Sequence, residues 1–276
     1  MLVNLNQVLN GIAQKKCAIP GFNVFGYEDA TAVVRAAEEL NAPVILMTNK
    51  VALDYMPISY LGKLLCAIAE DAKVPICVHL DHATNYEVVA QAIMAGFTSV
   101  MYDGSQLPLE ENIKNTSEVV KLANACGVSV EAEIGAVGYN DPNMKVKAVY
   151  TEPEEAKIFA EKTGVDALAV AVGTLHRMET QEAVIQFDRL EAIQNQVSIP
   201  LVIHGSTGVT DEDLRKLITY RVAKVNIGTA LRMAFGKSLR EEMNNNPKEF
   251  DRIKLFKTPM VKVQEEAKKK MEILGL

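Results

Sequence analysis

The chain contains no proline-, serine- or glutamine-rich tract, so nothing in it reads as a disordered linker or tail. No apolar run approaches the roughly 18–20 residues that span a bilayer. The opening stretch MLVNLNQVLNGIAQKKC has neither a basic lead-in nor an unbroken apolar core. It is therefore not a secretory signal, and a soluble, cytoplasmic protein is expected. Cysteine is scarce: Cys17, Cys66, Cys77 and Cys126 lie far apart without CxxC spacing. They read as small hydrophobes, with no disulfide or metal role expected. Surplus basic charge is lacking too. A net charge of −6 argues against a nucleic-acid surface, and the one basic run, Lys268-Lys269-Lys270, lies beside Glu265 and Glu266 and reads as a solvated helix face. Gly21-Phe-Asn-Val-Phe-Gly26 does not supply the G-x-G-x-x-G of a dinucleotide fold.

What is present is a repeated two-part unit. Short apolar runs at residues 17–25, 42–48, 74–80, 99–104, 128–135, 167–173, 200–206 and 222–228 are each followed by a longer, helically periodic stretch. Continuous apolarity suits strands of a parallel sheet, which are buried on both faces. In residues 28–40 the apolar positions Ala30, Val33, Val34, Ala37 and Leu40 form the stripe of a helix resting on a sheet. Thr151-Glu-Pro-Glu and Thr210-Asp-Glu-Asp read as capped first turns. Eight such units in 276 residues, 49% of them hydrophobic, predict an α/β protein: one (β/α)8 TIM barrel over residues 1–276, ending in a helical extension. The longest crossover, residues 136–166, carries Gly138-Tyr-Asn-Asp-Pro-Asn143, and an extended loop of this kind is expected to cover an active site.

Barrel enzymes place their chemistry where the strands end. Those ends hold all four histidines: His79 and His82 after the third strand, His176 after the sixth and His204 after the seventh. One histidine at a strand end is most often structural. Three separate ends suggest that His82, His176 and His204 meet above the barrel axis, and three neutral imidazoles with an open fourth position are a donor set of catalytic zinc. His79 reads as a residue orienting a ligand or a carboxylate. Of the neighbouring acids, Glu131 is divided between a structural ion pair and a site role. Asp103 and Glu133 are placed to orient histidines or supply a second cation position. Gly205, Ser206, Thr207 and Gly208, with Thr210 as helix cap, resemble the phosphate cradle that barrels build after the seventh strand, and Asn226, Ile227, Gly228 and Thr229 supply its other half.

With these residues in hand, the chain resembles the short branch of the class II, metal-dependent fructose- and tagatose-bisphosphate aldolases. The matching stretches are Val78-His-Leu-Asp-His-Ala83, Val130-Glu-Ala-Glu-Ile-Gly135, Val172-Gly-Thr-Leu-His176, Leu201-Val-Ile-His-Gly205 and Lys224-Val-Asn-Ile-Gly-Thr229. The resemblance implies reversible aldol cleavage of a ketose phosphate to dihydroxyacetone phosphate and an aldehyde. It implies Zn2+ on His82, His176 and His204, an alternative metal position near Asp103 and Glu133, and a monovalent cation near the phosphate. It also implies proton exchange by Asp81, substrate contacts from Thr48 and Asn23, and a homo-oligomer of two or four chains; the amphipathic pattern of residues 261–276 makes that stretch the expected contact. Three positions depart from the family pattern. Arg177 stands where a glycine is usual, Gly228 where Asp or Ala is usual, and Asp141 where the loop normally supplies a Glu. Arg177 is expected to add positive charge at the phosphate or to select a different anionic sugar. Two rival readings are a Schiff-base aldolase using Lys224 and a non-catalytic metal-binding partner subunit.

Overall fold

A computed structural model describes residues 1–141 and 146–276. Eight parallel strands, Ile19–Asn23, Val44–Thr48, Ile76–Ala83, Ser99–Tyr102, Ser129–Ile134, Ala167–Val170, Leu201–Ile203 and Val222–Ile227, pair in chain order, and the last pairs with the first. The ring is closed, and every strand leads into at least one helix on the outside. The result is the expected TIM barrel. A two-residue strand, Leu2–Val3, adds to the third barrel strand at Ile76 and Cys77. Among the described residues no helix is long and apolar enough to cross a membrane.

Alternation along the strands splits the core in two. Leu46, Val78, Leu80, Val225 and Ile227 face outward and pack with the helices. Ile45, Met47, Cys77, Ala167, Ala169, Val202 and Ala223 face inward, where Leu5, Val8, Leu9 and Ile12 of the N-terminal segment join them. The short helix Leu5–Leu9, capped by Asn4, therefore stoppers the floor of the barrel.

Several expectations change on inspection. Thr151 caps no helix: its hydroxyl donates to Ile134 O at 2.5 Å and accepts from Ala171 N at 2.8 Å, tying the fifth strand to the sixth, and the next helix starts at Pro153. Thr210 does cap its helix, accepting from Asp213 N at 3.0 Å. Lys270 is not a solvated residue. It is buried and donates to Asp211, because the helix Arg252–Ile273 lies across Tyr27–Glu39 and touches Asp211–Leu217. Val263, Ala267, Met271 and Ile273 are buried by this chain itself, so most of the apolar stripe in residues 261–276 is already used. In the long crossover, Gly138–Tyr139 pairs with Leu175–His176, while Pro142 and Asn143 of the expected covering loop lie outside the described residues.

Candidate active site

The third strand carries the densest chemistry, and its register explains why. Opposite the fourth strand, Leu80 pairs with Val100 and Ala83 with Tyr102, so two residues, Asp81 and His82, face the single Met101. This is a bulge at the barrel rim, and it lets consecutive side chains look into the same cavity. His82 takes a left-handed backbone, φ 52°, to do so, a conformation that costs a non-glycine residue about 1 kcal/mol. The cavity above the barrel encloses about 600 Å³, with both Asp81 and His82 in its wall.

His82, His176 and His204 converge there. Their ring centroids are 4.9, 4.6 and 5.9 Å apart pairwise, and one ligand atom from each lies within 4.8 Å of the others. Gly205 makes the approach possible: it has φ 66°, and a Cβ there would stand 2.6 Å from the carbonyl of Leu175. The seventh strand can thus turn directly against the Leu175–His176 pair.

Each imidazole has a nitrogen to spare. His82 Nδ1 donates to Asp103 Oδ2 at 2.7 Å and His204 Nε2 donates to Glu131 Oε1 at 2.9 Å. Among the described residues His82 Nε2, His176 Nε2 and His204 Nδ1 have no hydrogen-bond partner, although all three are buried. Glu133 Oε2 is likewise unpartnered, 3.2 Å from His204 Nδ1 without hydrogen-bond geometry. Unsatisfied buried polar atoms are costly, and three imidazole nitrogens close enough to share one ligand fit a divalent cation. His82, Asp103 and Glu133 form a second, overlapping set.

The electrostatics agree with that fit. Burial opposes a charge on His82, yet Asp81, Asp103 and Glu133 outweigh it and lift its pKa to about 10. His204 is raised in the same way, with Glu131 and Glu133 overcoming burial. His176, with no carboxylate bonded to it, is pulled well below its ordinary value by burial and the other two imidazoles. The carboxylates thus demand positive charge at this point, and protons or a cation can meet the demand. Burial would raise Asp81, but His82, His204 and Lys224 hold it below the usual carboxylate range.

Glu131 does both: one oxygen accepts from His204 and the other forms an ion pair. It is fully buried, and its second oxygen accepts from the equally buried Lys224 Nζ at 2.7 Å. A lysine clamped in this way is no free nucleophile, which opposes the Schiff-base alternative. His79 is 2.7 Å from Ser99 Oγ, and burial followed by Lys224 pulls its pKa to about 3, so it is a neutral brace under the site.

Gly205, Ser206, Thr207, Asn226, Gly228 and Thr229 all line the cavity, beside the N-terminus of the 17-residue helix Thr229–Asn245. The Ser206 hydroxyl is spent on Asn226 O at 2.6 Å, leaving backbone N–H groups for an anion. Thr48 and Ile227 do not line the cavity. Each follows the strand alternation outward, Thr48 with Leu46 and Ile227 with Val225. Arg177 lines the cavity at φ 60°, ion-paired to Asp141 at 2.6 Å and lying over the Tyr139 ring. Asp141 is outside the lining. Arg252 pairs with Glu28 and does not reach the cavity. Arg232, over the Phe25 ring at the mouth, was not foreseen, although it sits three residues after Thr229 on the same helix face.

Known proteins share this fold over nearly the whole chain. The model of the class-II fructose-bisphosphate aldolase family matches residues 3–276. The crystal structure of the YdjI aldolase from Escherichia coli K12 is similar at 32% identity and a TM-score of 0.89, over 100% of this chain and 98% of that one. The fructose-bisphosphate aldolase of Campylobacter jejuni shares the fold at 23% identity and a TM-score of 0.86, over 99% and 95%.

Proposed function

We propose, for a chain that belongs to the class-II fructose-bisphosphate aldolase family, that it cleaves a ketose phosphate reversibly into dihydroxyacetone phosphate and an aldehyde, with Zn2+ held by His82, His176 and His204. The observation carrying this reading is the meeting of three unpartnered imidazole nitrogens beside a buried carboxylate. When bound, zinc would supply Lewis-acid polarisation of the substrate carbonyl and stabilise the negative charge left by bond breakage. Asp81 takes the proton from the hydroxyl next to the bond that breaks and returns it in condensation. As a carboxylate held by Asn23 and Asn226 it can accept that proton. Gly205, Ser206, Thr207, Gly228 and Thr229 hold the phosphate through backbone N–H groups and a helix N-terminus. A monovalent cation beside that phosphate is part of this reading. We assign the second proton transfer, at the dihydroxyacetone carbon, to Asp141, whose carboxylate pairs with Arg177.

The test is a metal assay joined to a cleavage screen over fructose, tagatose and other ketose phosphates. One zinc per chain is expected, with activity lost to a chelator, restored by Zn2+, and no borohydride-trapped adduct. Undiminished cleavage by metal-free protein rejects the reading, as does cleavage of no ketose phosphate by zinc-loaded protein.

Arg177 tests substrate recognition. Arg177→Gly relieves a left-handed backbone worth about 1 kcal/mol and removes a half-exposed ion pair worth about 1 kcal/mol or less, so stability should barely move. Losing a charged contact to the substrate should raise KM about 10-fold, or about 1.4 kcal/mol. An unchanged KM, with unchanged preference between fructose and tagatose bisphosphates, removes Arg177 from recognition.

A further inference from the structure

Two of the three converging imidazoles are aimed by carboxylates, His82 by Asp103 and His204 by Glu131. Such a bond settles which ring nitrogen is left for a cation, because a ring turned over offers the wrong one. His176 lacks this support: among the described residues no carboxylate bonds to its ring, and its Nε2 is buried and unpartnered. What stands against it is Tyr139. The two ring centroids are 4.7 Å apart, with the planes tilted by 33°, which is the separation of a favourable aromatic pair. Among the described residues, Tyr139 is the one ring packed on His176 that is not another of the three histidines.

The local fold builds this contact. Gly138–Tyr139 runs parallel to Leu175–His176 with Tyr139 beside His176 in register, and Asn140 N donates to His176 O at 2.9 Å. Arg177 follows at φ 60°, and its guanidinium lies 5.6 Å from the Tyr139 centroid while pairing with Asp141 at 2.6 Å. The Tyr139 ring is therefore fixed in turn, by its own strand and by a cation on its π system.

We infer that Tyr139 is the positioning residue of His176, an aromatic stack doing for the third imidazole what Asp103 and Glu131 do for the other two. This deepens the zinc reading above and rests on it. It makes residues 138–141 of the long crossover part of the support of the metal centre. Retention of the ion then depends on a side chain outside the donor set.

The experiment compares Tyr139→Phe, Tyr139→Leu and His176→Ala with wild type, each stripped of metal and titrated with Zn2+ against a chelator. Tyr139→Phe keeps the ring and should hold zinc within about twofold of wild type. Tyr139→Leu keeps bulk without the flat face and should bind zinc about 10-fold more weakly, or about 1.4 kcal/mol. The same order should appear in the rate at which a chelator strips zinc from the loaded proteins. Melting temperatures of the metal-free proteins should stay together, because Tyr139 is half-buried and its truncation opens to solvent. The proposal is overturned if Tyr139→Leu holds zinc within about twofold of wild type. It is equally overturned if Tyr139→Phe falls as far as Tyr139→Leu, which would give the effect to the hydroxyl. Should Tyr139→Leu fail to fold, Tyr139→Ala decides by the same comparison with Tyr139→Phe. Failure of the underlying reading looks different: His176→Ala would then bind zinc as tightly as wild type.

Discussion

Asp81→Asn should lower ketose phosphate cleavage about 10²–10⁴-fold, the range lost with a positioned acid–base group. The substitution keeps the shape and removes the charge and the proton capacity. Asn226 and Asn23 would then face an amide in place of two accepting oxygens, and one donor loses its partner. Because the spare nitrogens of His82, His176 and His204 belong to other groups, zinc content should be kept. Steady-state kinetics beside a metal assay reads both quantities. A variant that cleaves at the wild-type rate would remove Asp81 from the chemistry. It would also favour a barrel that keeps a metal without turning over substrate.

Lys224→Met should destabilise the fold by about 3–5 kcal/mol, the usual consequence of stripping one partner from a buried ion pair. Lys224 and Glu131 are both closed to solvent at 2.7 Å, so the remaining carboxylate has no water to turn to. Burial opposes charge on Glu131, while Lys224 and then the His204 hydrogen bond hold its pKa below the ordinary 4.5. The sign of the pH dependence follows. The pair's contribution is complete above about pH 4.5 and fades as the pH falls toward the depressed folded value. Urea unfolding at neutral and acid pH measures this, and the difference between wild type and variant should shrink on acidification. Glu131→Gln strips the other partner and leaves Lys224 buried without a counter-charge, so it too should cost stability of that order. It also loosens the fixed orientation of His204, weakening zinc about 10–100-fold by chelator competition. A Lys224→Met variant within about 1 kcal/mol of wild type would mean that water or rearrangement reaches this part of the interior.

The barrel was legible because parallel strands must be apolar on both faces: seven of the eight apolar runs contain a barrel strand, and the third, residues 74–80, stops three residues short of the end of Ile76–Ala83. The three converging histidines were legible because strand ends define the mouth. Register was not. The bulge at Asp81 and His82 arises from pairing with Met101, a partner 20 residues along the chain from Asp81, and no local pattern announces it. The outward turn of Ile227 was recoverable in principle, since Lys224 and Asn226 mark the inward face of the eighth strand, while for Thr48 no such marker stands on the second strand. Their family positions pointed instead toward substrate. Thr151 was misread because a threonine before Glu-Pro-Glu looks like a cap, while its hydroxyl is claimed by two strands that converge only in the folded barrel. The choice between the two nitrogens of His82 and of His204 was also hidden: it depends on Asp103 and Glu131 reaching those rings from other strands.

The stopper at the barrel floor has a further consequence. With Leu5, Val8 and Leu9 plugging the lower opening, the barrel is a blind well rather than a tunnel, and everything that enters must leave by the same doorway. On the proposed reading the ion sits deepest and the sugar above it, so loading is ordered, ion before sugar. A seated sugar then acts as a cork that slows escape of the ion beneath it.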